Sequence, residues 1–501
     1  MSTPIPEQEP SVPDPETPQE AQRQPEPTAD PATVEGPDRS LASVVRNVFT
    51  AENSLLVTVL AILLSLVVGA VLIVVSNTAT MNMGGYFFQD PSDFLNSAWQ
   101  DVSSAYSALF EGAIFNPATL AGTPQQFFGP ITNTLEYATP LIFGGLGVSV
   151  AFRAGMFNIG GQGQTIAGAI CASYAAFAWT SVPGPLHLVV AVLAGLAGGL
   201  LFGGLVGWLK ARRGAHEVIV TIMLNYVAFS FLGSWLLNTS VFHDPKNAGQ
   251  AISKPAEHDA ILPHLFGDGL NTDVGLLLAL VATVAVAWFF RRSRLGFEVR
   301  AVGLTPRAAR TAGIDVGRVQ IASMLISGAL MGMIGVTQTL GLANPNNNSL
   351  APNIDAGLGF TAITVALLGR TKPWGVVWAS LLFGALQAGG ALMQTEAQVS
   401  IEIITVMQAV IVILVAAPRL VREIFRLRAT RAVPTAEPPG SGPGRSRGPG
   451  SALGLGPGLG PGRSWGRGWG KPAPADPDPF HASTSTSTST TASTSTTGGQ
   501  A

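Results

Sequence analysis

The amino-acid sequence predicts an all-α, polytopic membrane protein with about ten transmembrane helices, and three observations carry that reading. Only 12% of the 501 residues are charged while 47% are apolar, against roughly 25% charged in a soluble globular domain. The apolar residues are gathered into long uncharged runs, which give the whole chain a mean hydropathy of +0.36. Lys and Arg fall in short segments between those runs rather than within them.

Three regions follow from composition. Residues 1–40 form an acidic, Pro-rich tail: nine acidic residues stand against the lone Arg23 over 1–38, with prolines throughout. Such a stretch has too little apolar surface to offset its ordering entropy and is expected to be disordered. It does not resemble a secretory signal peptide, which would begin with basic residues and run directly into an apolar segment. Residues 41–431 form the membrane domain. Residues 432–501 form a low-complexity tail of Pro/Gly repeats, such as Gly454 to Gly462, and a Ser/Thr tract over 483–497.

A bilayer core of about 30 Å takes about 20 apolar residues at 1.5 Å rise. Spans are predicted near 55–76, 131–150, 164–180, 187–209, 217–237, 274–290, 319–342, 357–369, 374–394 and 400–417. The segment 357–369 is short for a crossing and reads as a half-helix or broken span. Orientation follows from the distribution of Lys and Arg. Residues 77–130 contain neither but carry Asp90, Asp93, Asp101 and Glu111, so they are placed outside. The mixed segment 238–273 is also placed outside, since its acidic residues outnumber Lys246 and Lys254. The basic segments 210–213, 291–310, 370–372 and 419–431 are placed inside. Ten spans then leave both termini in the cytoplasm, in agreement with Arg39 and Arg46 before the first span.

Several function classes are disfavoured. A net charge of −2 gives no sign of a polyanion partner, so no nucleic acid is expected. The single Cys171 excludes an internal disulfide, and the six His show no metal-ligand spacing, so no metal site is expected. Gly195, Gly199, Gly203 and Gly207 recur at i, i+4 along one span, and Gly328 and Gly332 repeat the pattern in another. Glycines spaced in this way let helix backbones approach closely in lipid, and packing is the simplest account of them.

Three polar segments could carry chemistry. In 152–164, glycines at 155, 160, 161 and 163 disfavour a continuous helix, while Asn158, Gln162 and Gln164 offer amide donors and acceptors beside apolar spans. Irregular backbone at such a depth is tolerated only where protein or a water-filled cavity surrounds it, although an ordinary cytoplasmic turn fits the residues as well. The segment 216–226 opens a span and places Asn225 two turns in, where a helix-to-helix hydrogen bond is the commoner role. In 296–314, Thr305 and Pro306 read as cap and first helical residue, and Gly313 as a stop. This predicts a short helix between two spans, which could equally be an anchor that only sets topology.

These residues resemble a known family. The runs FRAGMFNIGGQGQ, HEVIVTIMLNY, GFEVRAVGLTPRAARTAGI followed by SGALMGMIG, and GLGFTAITVALLGRTKPWG occur in order over about 130–417. Together they are similar to permease subunits of bacterial ATP-binding-cassette (ABC) importers for simple sugars and nucleosides, most like the nucleoside-importing branch. The resemblance implies a multi-pass permease of the bacterial cell membrane that is not itself an enzyme. It also implies partners: ABC ATPase subunits, a second permease subunit of the same type, an external substrate-binding lipoprotein and the surrounding lipid. In that family the loop between two spans docks into the ATPase, and its pattern falls here on Arg300, Ala301, Gly303, Ala308, Ala309 and Gly313. Asn158, Gln162, Gln164 and Asn225 are then placed on the substrate path. The terminal tails fall outside the resemblance.

The chain itself supports one consequence. A phosphate-binding P-loop needs Gly-x-x-x-x-Gly-Lys followed by Ser or Thr, but the only Gly-Lys pair, Gly470-Lys471, is preceded by Trp465 in place of the first Gly and followed by Pro472. No cofactor is expected on this chain, and ATP would be bound by the partner ATPase. Competing readings are an ion-coupled secondary transporter, which usually carries ionisable groups in mid-membrane, and a membrane-embedded enzyme, for which no paired carboxylates or activated nucleophile lie within the spans. On the importer reading the substrate is a nucleoside first, a simple sugar second and a branched-chain amino acid third. The orientation can be measured directly: with Cys171 replaced, a Ser104→Cys variant is expected to react with an impermeant thiol reagent added outside, and Thr305→Cys is not. Labelling of Thr305→Cys from outside would invert the topology.

Overall fold

The computed structural model describes residues 54–417 apart from 86, 248, 268 and 343–346. Both tails, together with Arg39, Arg46 and the basic segment 419–431, lie outside the described residues. Fourteen α-helices follow in order among those described: α1 (Ser54–Ser76), α2 (Thr78–Gly84), α3 (Pro91–Ala113), α4 (Pro124–Arg153), α5 (Gly161–Ala178), α6 (Gly184–Arg213), α7 (Glu217–Ser230), α8 (Gly275–Arg292), α9 (Arg294–Leu304), α10 (Pro306–Thr311), α11 (Val316–Leu340), α12 (Leu358–Leu368), α13 (Pro373–Glu396) and α14 (Glu402–Ala416). The only β pairing among the described residues is two isolated bridges, His243 with Ser253 and His264 with Asp273, in the long connection between α7 and α8.

A helix lies at each of the ten expected span positions. Seven of them are long and apolar enough to cross a membrane. The other three differ for distinct reasons. Helix α5 has 18 residues, but its first turn carries Gln162 and Gln164. Helix α12 has 11 residues, about 16 Å of axial rise and half of a bilayer core, as a half-helix requires. Helix α14 has 15 residues. The bundle is an all-α membrane domain with an inner and an outer set of helices. Of the most apolar stretch of α4, 78% is buried within the protein, and of α11 67%, whereas for α1 and α7 the figure is 22%. The exposed faces of the outer helices carry large apolar side chains, such as Val67, Leu201, Ile219 and Trp288, as faces turned to lipid do.

The inner set packs through backbone contact. A Cβ added at Gly203 of α6 would lie 2.6 Å from the Met324 carbonyl oxygen and 2.8 Å from the Gly328 Cα of α11, and one at Gly332 would meet the Gly195 carbonyl oxygen at 2.6 Å. Helix α5 approaches the same α11 as closely, since a Cβ at Gly168 would lie 2.5 Å from the Gly332 Cα. The glycine spacing read from the sequence is thus the seam on which α5, α6 and α11 meet, with Ser323, Ser327 and Thr165 buried alongside.

Helix α3 is an addition to the sequence reading, which placed all of 77–130 outside as a connection. Asp90 caps it by accepting from the Ser92 amide, and Pro91 opens it, so the start signal was present. Its buried residues are Ala105, Ala108, Gly112 and Ala113, in line with the half-buried Asp101, while Asp93, Ser103, Ser104 and Ser107 are exposed. Small contact residues and a polar face together conceal such a helix from a hydropathy scan. It crosses α13 where a Cβ on Gly112 would lie 3.0 Å from the Gly389 Cα. Asp101 ties it to α2 by accepting from Asn77 Nδ2 at 2.9 Å and from the Thr80 hydroxyl.

The seam can be tested against a glycine outside it. Gly328→Ala places a methyl against the α6 backbone and is expected to cost about 1–3 kcal/mol or more. Gly84→Ala, in a helix and with only an ordinary contact to the Phe94 ring at 3.6 Å, should be neutral or stabilising. Thermal unfolding of the purified protein in detergent reads the difference, and equal midpoints for the two variants would argue against backbone contact as the basis of the seam.

Candidate functional site

The glycine-rich segment is the joint between α4 and α5. Gly155 lies at φ +71, a left-handed conformation that glycine adopts without strain. This ends the helix just after Arg153, and the chain runs without helix until Gly161. Asn158, fully buried, holds that run in place. Its Nδ2 donates to Gln164 Oε1 at 3.0 Å and to the Ser327 hydroxyl of α11 at 2.9 Å, and its Oδ1 accepts from the Gly160 amide at 3.0 Å and from Gln164 Nε2 at 3.2 Å. Asn158 and Gln164 therefore saturate each other inside the protein, and neither faces a cavity.

The other two amides predicted for the path stand elsewhere. Asn225, on α7, accepts from the Gly163 amide at 2.9 Å and donates to the Ile159 carbonyl at 2.9 Å, fastening α7 to the same segment. Gln162, on the first turn of α5, donates from Nε2 to Asp355 Oδ2 at 2.8 Å. Both line a cavity of about 270 Å³, together with Ile166, Ile222, Tyr226, Phe229, Asp355 and Phe360. Its size lies just below the roughly 300–1,000 Å³ usual for small-molecule sites. Ile222, Asn225, Tyr226 and Phe229 fall at i, i+3, i+4 and i+7, so α7 offers one continuous face to it. Just beyond, the helix widens into a π turn over Phe231–Trp235, an irregularity frequent at functional sites.

Helix α12 closes the opposite wall. Its N-cap Gly357 lies at φ +72, and a Cβ at Gly161 of α5 would lie 2.8 Å from the Gly359 carbonyl oxygen. The starts of α5 and α12 thus meet at the cavity. Sequence reasoning missed Asp355, Tyr226, Phe229 and Phe360. The three aromatics looked like ordinary lipid-facing residues of apolar spans, and Asp355, a lone acid just before a short apolar helix, was the signal available. A second, more open cleft of about 420 Å³ lies between α3, α4 and α13, lined among others by Glu111, Asn116, Asn133 and Thr395. It holds none of the predicted residues.

The predicted docking loop forms two helices where one was expected. Helix α9 begins on Ser293, whose hydroxyl accepts from the Gly296 amide at 2.8 Å. Thr305, extended at φ −155, separates α9 from α10 but makes no side-chain cap bond, which corrects the capping role read from the sequence. Gly313 at φ +82 turns the chain toward α11. Val299, Val302 and Ala309 are buried, whereas Arg300, Leu304, Arg307, Ala308 and Gly313 are exposed. Of the six residues assigned to docking, Arg300, Ala308 and Gly313 are on the surface, Ala301 and Gly303 are half-buried, and Ala309 faces inward. Gly303 sits directly on the turn after α4: an added Cβ would collide with the Arg153 carbonyl oxygen and lie 3.1 Å from the Gly155 nitrogen. Arg153 in turn places its guanidinium 4.2 Å from the ring centre of Phe290, at the end of α8.

Asn158 can now be tested as a structural centre. Asn158→Leu leaves the Gly160 amide and the Gln164 amide group without their partner, a loss of about 1–3 kcal/mol for each buried polar group left unpaired. A lowered unfolding midpoint and lowered membrane abundance are expected. Stable, abundant protein with a selective loss of uptake would instead put Asn158 on the solute path.

Comparison with known proteins places the chain. The family model described as "Branched-chain amino acid transport system / permease component" matches residues 131–416. A guanosine ABC transporter permease protein of Bacillus subtilis, NupP, is 34% identical over 370 residues, which cover 74% of this chain and 95% of that protein. A nucleoside ABC transporter permease protein of Lactococcus lactis, NupB, is 34% identical over 290 residues, covering 57% of this chain and 79% of that protein. A glucose ABC transporter permease protein of Haloferax volcanii, TsgB13, is 34% identical over 292 residues, covering 56% of this chain and 75% of that protein. No solved structure matches. By the family match over residues 131–416 and these relatives, this protein belongs to the permease-component family of ABC transport systems and is a multi-pass membrane protein of that class.

Proposed function

We propose that the chain is the permease of an ATP-driven importer that moves nucleosides delivered by an external binding protein. The observation that carries this reading is the composition of the cavity: the amides of Gln162 and Asn225 and the Asp355 carboxylate stand beside the rings of Tyr226, Phe229 and Phe360. A nucleoside has the same two characters, a flat base that packs on an aromatic ring and a ribose rich in hydroxyls. The relatives named for guanosine and nucleoside transport support that substrate class. The relative named for glucose keeps a simple sugar as the second reading, since sugars also pack on aromatic rings.

Energy on this reading comes from separate ATPase chains, which bind the ATP, while this chain binds no cofactor. The docking face is Arg300, Leu304, Arg307 and Ala308, with α9 and α10 on the cytoplasmic side and both termini inside the bacterial cell. Leu304 is 86% exposed, an apolar side chain among arginines on a surface that a partner would cover. A second permease subunit and an external binding lipoprotein complete the assembly.

Proteoliposomes holding the permease, its ATPases and its binding protein test this reading. ATP-dependent uptake of labelled guanosine is expected, and none from an imposed ion gradient without ATP. Glucose uptake without nucleoside uptake would overturn the substrate, and gradient-driven uptake would overturn the coupling. Leu304→Asp should abolish copurification with the ATPase and lower uptake at least tenfold while membrane abundance stays unchanged.

A further inference from the structure

We propose that Asp355 and Gln162 together determine specificity in this cavity by accepting two adjacent N–H or O–H donors from the solute, one on Asp355 Oδ1 and one on Gln162 Oε1. The inference rests on the importer reading above and names the chemistry that the site selects. Asp355 lies in the connection between α11 and α12 and is only 2% exposed, yet it lines the cavity. Its Oδ2 accepts from Gln162 Nε2 at 2.8 Å and from the Gly357 amide at 3.3 Å. Its Oδ1 has no hydrogen-bond partner among the described residues, and the ion pairs described there, Lys210–Glu217, His258–Asp259 and Arg294–Glu298, do not involve it. A buried carboxylate without a cation is costly to keep.

Helix capping alone does not explain an acid at this position. Ser or Asn accepts from a helix-start amide about as well as Asp does, and neither buries a charge. The open acceptors of the cavity are few. Both polar atoms of Asn225 are engaged with backbone. Gln162 must turn its NH₂ toward the carboxylate, which leaves its carbonyl oxygen without a hydrogen bond in the described structure. The acceptors left without a hydrogen bond are Asp355 Oδ1 and Gln162 Oε1, which stand beside the second N–H of each amide and the Tyr226 hydroxyl. The amide-rich starts of α5 and α12 stabilise the negative charge at that place.

Acceptors ask for donors. The Asp355 charge opposes a phosphate, which disfavours nucleotides at this place. A neutral ring that carries two neighbouring donors fits. In guanosine such a pair exists twice: the N1–H and N2 amine of the base, and the 2′,3′-diol of the ribose.

The experiment compares the wild-type and Asp355→Asn proteins in the complete proteoliposome complex, with guanosine, inosine and 2′-deoxyguanosine as solutes. The binding protein is the same in both, so a change between variant and wild type belongs to the cavity. Guanosine uptake by Asp355→Asn is expected to fall at least tenfold. A smaller fall for inosine identifies the base edge as what Asp355 reads, and a smaller fall for 2′-deoxyguanosine identifies the diol. Gln162→Met, which removes the second acceptor and keeps the acid, should show a selective loss of threefold or more on the same solute, and it keeps the test informative if Asp355→Asn accumulates poorly. Equal losses for all three solutes, or none, in both variants overturn the inference while leaving the importer reading in place. Wild-type protein that takes up none of the three overturns the nucleoside reading itself.

Discussion

Backbone contact between α11 and its neighbours α5 and α6 organises the rest of the bundle. Lipid tails are as apolar as leucine, so burying leucine between two membrane helices yields little. What remains is dispersion between atoms brought very close, and glycine at 168, 199, 203, 328 and 332 supplies that closeness. Once α11 is seated, Ser327 is delivered to Asn158 at 2.9 Å, and the irregular run from Gly155 to Gly160 gains a polar anchor from a helix far away in sequence. The start of α5, and with it Gln162, is fixed by that anchor. The cavity is thus a consequence of the seam rather than a separate construction.

The ordering of polar groups around the cavity separates structure from recognition. Asn158, Gln164 and Asn225 spend their hydrogen-bonding capacity on the protein, and they hold three segments in register. Gln162 and Asp355 have capacity left over. On the proposed importer reading, a path that must release its cargo benefits from this division, because a rigid frame presenting only a few open acceptors binds weakly without being soft. Selectivity can then be set by which donors the solute offers, while residence stays short.

Long apolar spans and the glycine pattern were legible in the sequence because both are periodic and local. The segment 294–313 was recognisable as a connection by its arginines, but whether a given residue faced inward was not: Ala308 and Ala309 are identical in kind, and only the packing of α10 makes one exposed and the other buried. Helix α3 was missed because its contact surface is made of Ala and Gly, which hydropathy weights lightly. In the site, four amides were visible by type, yet chemistry cannot tell a saturated Asn from an open Gln before their neighbours are known. Asp355 showed only as a lone acid before a short apolar helix, since the residues that make it matter lie on α5 and α7, far from it in the chain.

Gly303 resting on the Arg153–Gly155 turn has a mechanical meaning. Side chains are compliant: a leucine between two helices can change rotamer and absorb a displacement of an ångström. Backbone against backbone has no such slack. A displacement of α9 is borne at once by the turn that ends α4 and begins the run to α5, so the joint transmits small movements with little loss. It also has no tolerance for wear, because even a single methyl group at that bearing would jam it.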